Sequence, residues 1–140
     1  PCPTMARKSA RRPLGRTSRS QLGAVDYTLA KRALLRSARA GMLSVTDLCD
    51  AHPELIRAAK NVGEPTRTDC PICGKDKLVL LAYVYGEGLK ADNGRVWSVD
   101  TGLRMAVAYP GACCYVVEVC RTCQWNHLHE ALTARRAASG

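Results

Sequence analysis

The sequence predicts an α+β protein in which an N-terminal segment of two to three short helices packs on a small antiparallel sheet, followed by a C-terminal helix. Apolar residues three and four apart run through residues 26–41 and 44–63, as in amphipathic helices. After residue 77 the pattern changes to short β-rich runs separated by turn dipeptides. Nothing resembles a membrane span or a signal peptide, so we expect a cytoplasmic protein without membrane contact.

Residues 1–20 are predicted to form a disordered basic arm. This stretch carries six Lys or Arg and no acidic residue, with few apolar side chains to bury. The arm either binds nucleic acid or an acidic protein surface, or is simply solvated. Its candidate contact residues are Arg7, Lys8, Arg11, Arg12, Arg16 and Arg19. Residues 131–140 are predicted to form a second, C-terminal basic tail.

Residues 21–63 are predicted to form the helical segment. A first helix begins near Asp26, which can cap it, and ends at Gly41. Its apolar face lies opposite a stripe of three basic residues, Arg32, Arg36 and Arg39. The stripe either follows phosphates or is the solvated side of an amphipathic helix.

Two shorter helices are predicted after Gly41. Ser44 and Asp47 have the spacing of a capping box, and Pro53 is suited to start the next helix. Helix, turn and helix resemble a helix-turn-helix in outline. The candidate recognition face consists of Glu54, Arg57, Lys60 and Asn61. The alternative is a helical hairpin packed on the sheet.

Residues 64–130 are predicted to contain the sheet. Strands are expected at 78–85, at 95–99 after the turn dipeptide Asn93-Gly94, and at 114–119. Residues 100–109 fit either a short helix or a strand. From residue 124 the spacing of the leucines predicts the C-terminal helix.

Two Cys-x-x-Cys pairs point to one metal site. Each pair places two thiolates on a tight turn, and four such sulfurs are the ligand set of a structural zinc. The 46 residues between the pairs must leave the metal and return to it, as the strands of a zinc ribbon do. The predicted ligands of one structural Zn²⁺ are Cys70, Cys73, Cys120 and Cys123. Without an export signal, the cysteines are expected to be thiols and metal ligands rather than disulfides.

The remaining chemistry argues against an enzyme. No glycine-rich phosphate loop, nucleophile elbow or obvious His–carboxylate pair accompanies the cysteines, so neither catalysis nor a small-molecule substrate is expected.

Trp125, just past the second pair, either packs around the metal turn or offers a stacking surface to a base or partner. Residues 63–130 carry seven basic and eight acidic residues, so the basic character lies in the tails and the first helix.

Four stretches resemble one family. They are similar to an actinobacterial family catalogued as a domain of unknown function. The four stretches are VDYTLAKRALL, VTDLCDAHPELIRAAKNVGEPT, CPIC and YVVEVCRTCQWNHL. The resemblance covers about residues 24–130. It implies a compact cytoplasmic protein with a paired-knuckle metal site at the same four cysteines, with helices and ribbon forming one unit. It implies no reaction.

These observations predict a zinc-ribbon adaptor that docks on a nucleic-acid machine such as RNA polymerase or the ribosome. The near-neutral ribbon would contact protein, and the basic arm and first helix would contact phosphates. Three alternatives remain open: a sequence-specific DNA-binding regulator using residues 44–62, a protein–protein scaffold without nucleic acid, and a rubredoxin-like iron redox protein.

Overall fold

One antiparallel sheet organises the part of the chain that the computed structural model describes, residues 22–109 and 111–134. In chain order the elements are β1 (Leu22–Asp26), α1 (Thr28–Arg39), α2 (Val45–Leu48), α3 (Pro53–Val62), β2 (Glu64–Asp69), β3 (Lys77–Tyr85), a 3-10 helix (Glu87–Asp92), β4 (Val96–Trp97), α4 (Val99–Ala108), β5 (Cys113–Val119) and β6 (Asn126–Ala134). The strand order in the sheet is β1-β6-β5-β3-β2, and β4 pairs with β3. The architecture is therefore mixed α+β, as predicted.

Strand β3 is apolar throughout because both of its faces are covered. Successive side chains of a strand point to opposite faces. Ala82 and Val84 pack in one buried cluster with Leu103 of α4, whereas Val79 and Leu81 pack in another with α3. The predicted buried strand is thus confirmed, and helices α3 and α4 lie on opposite sides of the sheet.

Three of the predicted helix-end signals operate in the structure. Asp26, predicted to cap α1, instead ends β1 and accepts the Thr28 N–H, while the N-cap is Tyr27 without a side-chain capping bond. The N–H and hydroxyl of Ser44 donate to Asp47, and the N–H of Asp47 donates back to the Ser44 hydroxyl, so the capping box is formed. Pro53 is the first residue of α3. Gly41 has a φ of +82° just past α1, the left-handed conformation that suits a helix end. Local chemistry therefore sets most helix ends.

Residues 100–109, which fit either structure by sequence, are helical. Ser98 accepts a hydrogen bond from the Thr101 N–H at 3.2 Å and so caps α4. The predicted strand at 95–99 is shorter than expected, because only Val96 and Trp97 pair with β3.

The predicted C-terminal helix is wrong, because Asn126–Ala134 forms strand β6. β6 pairs with β5 along seven residues, and β1 pairs with β6 in turn. Leu128 and Leu132 are four apart, a spacing that suits one face of a helix. In β6 a register shift opposite Val116 and Val117 places them in different core clusters instead. The edge of β5 favours the strand, since β6 satisfies its backbone hydrogen-bonding groups.

Residues 22–26, placed by prediction in the helical segment, form edge strand β1 instead. β6 continues to Ala134, so the predicted boundary at residue 130 falls within a strand. The basic arm at 1–20 and the terminal arginines Arg135 and Arg136 lie outside the described residues. Among the described helices, none has the length and apolar character needed to cross a membrane.

Candidate metal centre

Pairing between β3 and β5 brings the two cysteine turns together. Cys73 is followed, after a short turn, by β3, and Cys120 directly follows the last residue of β5. Val79 is paired with Val119 in the antiparallel register, so the start of β3 lies beside the end of β5. Because one strand leaves the first turn and its neighbour enters the second, both turns lie at the same end of the sheet.

The four predicted ligand sulfurs converge. The Sγ atoms of Cys70, Cys73, Cys120 and Cys123 all lie within 4.8 Å of one another. Cys70 and Cys123 are 3.6 Å apart, and Cys73 and Cys120 are 3.7 Å apart. Four sulfurs bound at about 2.3 Å to one tetrahedral ion would stand about 3.8 Å from each other. The cluster therefore has the dimensions of a four-thiolate metal site.

Each turn directs backbone amides at its first sulfur. The N–H groups of Ile72 and Cys73 donate to Cys70 Sγ at 3.4 and 3.5 Å. In the second turn, Thr122 and Cys123 donate to Cys120 Sγ, both at 3.4 Å. The two turns thus repeat one knuckle geometry, in which amide dipoles stabilise negative charge on sulfur.

The residue after each second cysteine takes a left-handed conformation. Gly74 has a φ of +64°, and its N–H donates to the Cys70 carbonyl at 3.0 Å. Gln124, at the same place in the other knuckle, has a φ of +74° and donates to the Cys120 carbonyl at 3.0 Å. The missing glycine of the second knuckle therefore does not change the backbone path, and Gln124 bears the conformational cost.

This difference between the knuckles gives a paired prediction. Gln124→Gly should stabilise the metal-loaded protein by about 1 kcal/mol, since glycine adopts positive φ without strain. Gly74→Ala should destabilise it by about 1 kcal/mol, because a Cβ there meets no atom within 4 Å and only the backbone conformation is penalised. Denaturant unfolding at constant free zinc measures both changes in the free energy of unfolding. Two changes of the same sign would contradict the shared left-handed conformation of Gly74 and Gln124.

The electrostatics of the cluster favour a bound cation. Burial raises the pKa values of the Cys70 and Cys120 thiols, and it raises the pKa of Cys123 to about 12. The Lys75 backbone N–H lowers the pKa of Cys73. Four thiolates side by side would repel each other and lose water, so that charge state would need a cation among the sulfurs.

Asp76 links the two knuckles and was missed by sequence reasoning. Its carboxylate accepts hydrogen bonds from Thr122 Oγ1 at 3.1 Å and from Arg121 at 3.3 Å, both in the second knuckle. Its backbone carbonyl accepts the Cys70 N–H at 2.9 Å. Burial alone would raise the pKa of Asp76, but these hydrogen bonds, the Lys77 amide and the Arg121 charge lower it overall. One carboxylate thereby fixes the position of both turns.

A buried carboxylate lies beneath the second knuckle. Glu118 is 3% exposed and accepts hydrogen bonds from Trp125 Nε1 at 2.9 Å and from Lys31 Nζ of α1 at 2.7 Å. His129 Nδ1 is 3.7 Å from the same carboxylate. Burial raises the pKa of Glu118, but the three neighbours together lower it, and Glu118 in turn raises the pKa of His129. These polar contacts join α1 to the sheet in addition to its apolar packing, in which Leu34, Leu35 and Ala38 lie against the cluster around Trp125.

The other predicted contact residues differ in their exposure. Trp125 is fully buried, which rules out its predicted role as a stacking surface and fits its alternative role as packing around the knuckle. The two groups of basic residues within the described chain are exposed: Arg32, Arg36 and Arg39 on α1, with Arg57 and Lys60 on α3. The six basic residues of the arm, Arg7, Lys8, Arg11, Arg12, Arg16 and Arg19, lie outside the described residues.

Two cysteines depart from the sequence expectations. Cys113 takes part in a disulfide, contrary to the expectation that the cysteines remain thiols. Cys49, interpreted from sequence only as a small core residue, has its thiol 3.5 Å from Cys123 Sγ. No spacing motif includes Cys49, because it lies 74 residues from its neighbour and is brought there by α2.

Comparison with known proteins places the chain in a family. A family described as "Family of unknown function (DUF5318)" matches residues 18–139, which include both knuckles and Cys49. The chain belongs to DUF5318. Uncharacterized proteins from Mycobacterium bovis and from two Mycobacterium tuberculosis strains are 45% identical over 104 residues, covering 74% of this chain and 76% of each relative. No solved structure matches the chain.

Proposed function

We propose that this DUF5318 protein binds one structural zinc ion and serves as a non-catalytic adaptor. The convergence of four thiols within 4.8 Å carries the proposal. Zinc accepts four cysteine thiolates in a closed tetrahedral shell, and such sites hold a fold together without catalysing a reaction. Cys70 is 3% exposed and Cys120 is fully buried, which suits a structural rather than a substrate-binding position.

The same donor set also suits iron, so the metal must be identified directly. Four-sulfur tetrahedral sites select zinc or iron in proteins. Elemental analysis of the protein purified from its native host should find one zinc per chain and no visible absorption. Stoichiometric iron with a visible absorption band would favour the rubredoxin-like alternative instead.

The adaptor role is supported by the charge of α1. This helix contains no acidic residue, and its three arginines, Arg32, Arg36 and Arg39, are exposed while Lys31 is engaged by Glu118. Four-residue and three-residue spacings place those arginines on one side of the helix. A row of arginines without intervening carboxylates is suited to phosphate oxygens, so we infer that α1 contacts nucleic acid within a nucleoprotein complex.

Salt dependence tests this interface. Changing Arg32, Arg36 and Arg39 to glutamine should weaken binding to mixed-sequence RNA or DNA. It should also reduce the slope of log K against log salt by about one for each phosphate that the protein no longer neutralises. Fluorescence anisotropy between 50 and 300 mM salt is the measurement.

A control removes equal charge elsewhere. Glutamine at Arg67, Lys75 and Arg104, which are also exposed, should leave that slope nearly unchanged. If both triple variants flatten the slope equally, net charge rather than α1 is responsible. If the wild-type protein binds neither RNA nor DNA, the protein–protein scaffold becomes the better description.

A sequence-specific DNA regulator is the second candidate because α3 presents two exposed basic residues, beside the exposed Glu54 of its first turn. Arg57 and Lys60 are exposed, while Leu55 and Ala59 of the same helix are buried against the sheet. Helix α2, at four residues, supplies only one turn of support. Sequence discrimination that disappears in Arg57→Ala or Lys60→Ala would favour this function over the adaptor.

A further inference from the structure

The structure brings a fifth thiol to the four-cysteine cluster. Cys49 Sγ lies 3.5 Å from Cys123 Sγ and donates its S–H toward that sulfur. This separation is as short as the 3.6 Å and 3.7 Å contacts within the cluster itself. The cluster of five thiols therefore contains one more sulfur than a tetrahedral zinc ion can bind.

Two hydrogen bonds hold the Cys49 segment beside the second knuckle. The Ala51 N–H donates to the Gln124 carbonyl at 3.0 Å, and Asn126 Nδ2 donates to the Asp50 carboxylate at 3.1 Å. On either side of Cys49, Leu48 and Ala51 are buried. The thiol lies in the short connection between α2 and α3 and is held next to Cys123 by these contacts.

The four ligands differ in how accessible they are to replacement. Cys70 and Cys120 are buried and each accepts two amide hydrogen bonds within its own knuckle. Cys73 and Cys123 are only partly buried, as is Cys49. Of these two more accessible ligands, Cys123 is the one whose sulfur lies 3.5 Å from the Cys49 thiol, so replacement is easiest there.

We propose that Cys49 is a reserve ligand that can take the place of Cys123 on the metal. With Cys123 bound, the Cys49 thiol donates a hydrogen bond to the bound sulfur. When the Cys123 thiolate leaves the metal, it takes up the proton that Cys49 donates toward it; when Cys123 is alkylated to a thioether, that proton goes to solvent instead. In both cases Cys49 binds the metal as a thiolate and four sulfurs are restored. This inference rests on the proposed metal centre and adds a fifth residue to it.

Alkylation of the zinc-loaded wild-type protein tests the exchange. Iodoacetamide should place its first label on Cys49 in some molecules and on Cys123 in others, as mapped by peptide mass spectrometry, with the zinc retained. In Cys49→Ala, labelling of Cys123 should instead release one zinc per label. A first label found only on Cys49, or zinc loss with every wild-type Cys123 label, would overturn the proposal.

Ligand variants give an independent reading. Cys123→Ala should keep one metal ion, with affinity lowered no more than about 100-fold, the upper range for losses around a metal shell. The matched control is Cys73→Ala, since the wild-type Cys73 sulfur contacts Cys120 at 3.7 Å and not Cys49. This variant should lose far more metal affinity, as should the double variant Cys49→Ala/Cys123→Ala. With Co²⁺ as the probe, thiolate-to-metal charge-transfer intensity should correspond to four sulfurs in Cys123→Ala and to three in the double variant.

These outcomes separate two kinds of failure. If Cys123→Ala and Cys73→Ala lose metal equally, the reserve-ligand role is wrong while the four-cysteine site stands. If Cys123→Ala does not fold, the labelling of the wild-type protein decides alone. If the wild-type protein holds no stoichiometric metal, the proposed metal centre fails and the reserve ligand fails with it.

Discussion

Cys120→Ala is expected to unfold the protein under conditions in which the wild type is folded. Structural zinc contributes on the order of 10 kcal/mol to small domains, which is comparable with the whole stability of a protein of this size. Cys120 is fully buried, and its sulfur contacts Cys73 at 3.7 Å. Its loss therefore leaves only three of the four proposed ligands and removes the link between the end of β5 and the start of β3.

Loss of dispersed amide resonances in a two-dimensional NMR spectrum would report this unfolding. Cys114→Ala provides a matched control, because Cys114 is equally buried but lies in the core beneath α4 rather than in a knuckle. That variant should lose only about 1–2 kcal/mol, the cost of a small cavity, and remain folded. A strong zinc chelator should unfold the wild type and Cys114→Ala alike. A Cys120→Ala protein as stable as Cys114→Ala would argue against metal-dependent folding.

Glu118→Gln is expected to destabilise the protein by about 3 kcal/mol. Removing one member of a buried charged pair leaves its partner desolvated and unpaired, which costs more than the pair contributes. Here the change removes the charge facing Lys31 Nζ, 2.7 Å away, and weakens the hydrogen bond from Trp125. Because Lys31 belongs to α1, hydrogen exchange should accelerate most in α1 and in the second knuckle.

An exposed ion pair in the same molecule controls for the loss of charge. Asp100 and Arg104 are 2.6 Å apart on α4, with side chains 68% and 64% exposed. Asp100→Asn should change stability by less than about 0.5 kcal/mol, as usual for solvated i,i+4 pairs. If the two variants lose the same stability in denaturant unfolding, burial of Glu118 is not what makes its contacts important.

The pH dependence of the Glu118 effect follows from the directions of the two pKa shifts. The pKa of Glu118 is lowered in the folded protein. Ionised Glu118 therefore stabilises the fold above the unfolded pKa of about 4.3, and this contribution disappears as pH falls through the folded pKa. The folded pKa of His129 is raised, so its contribution is complete below about 6.5 and disappears as pH rises through the folded pKa. The difference in the free energy of unfolding between wild type and Glu118→Gln should therefore decrease in acid. A difference that increases below pH 4 would contradict the ionised state of Glu118.

Local signals in the sequence predicted the parts that local chemistry controls. The Ser44–Asp47 capping box, Pro53 and Gly41 mark helix ends that depend on nearby backbone groups. The apolar run of β3 could be recognised because both faces of that strand are buried. Likewise, the Cys-x-x-Cys spacing predicts the amide-to-sulfur contacts, since these form within each knuckle.

Long-range contacts decided what the sequence left open or led us to predict wrongly. Residues 126–134 satisfy a helical spacing, but pairing with β5 makes them a strand. Asp76, Glu118 and Cys49 carry no motif, and their roles arise from partners on other elements. A single sequence does not show which distant residues will approach such a side chain.

The amino-acid sequence by itself determined four metal-ligand candidates, the helix ends at Ser44, Pro53 and Gly41, and the α+β character, because each depends on residues close together in the chain. Only the tertiary structure decided that β6 extends the sheet, that Glu118 holds α1 in place and that a fifth thiol reaches the cluster. The physical reason is that strand pairing, charge burial and sulfur contact all depend on groups far apart in the chain. Their energies are set by which elements the fold brings together.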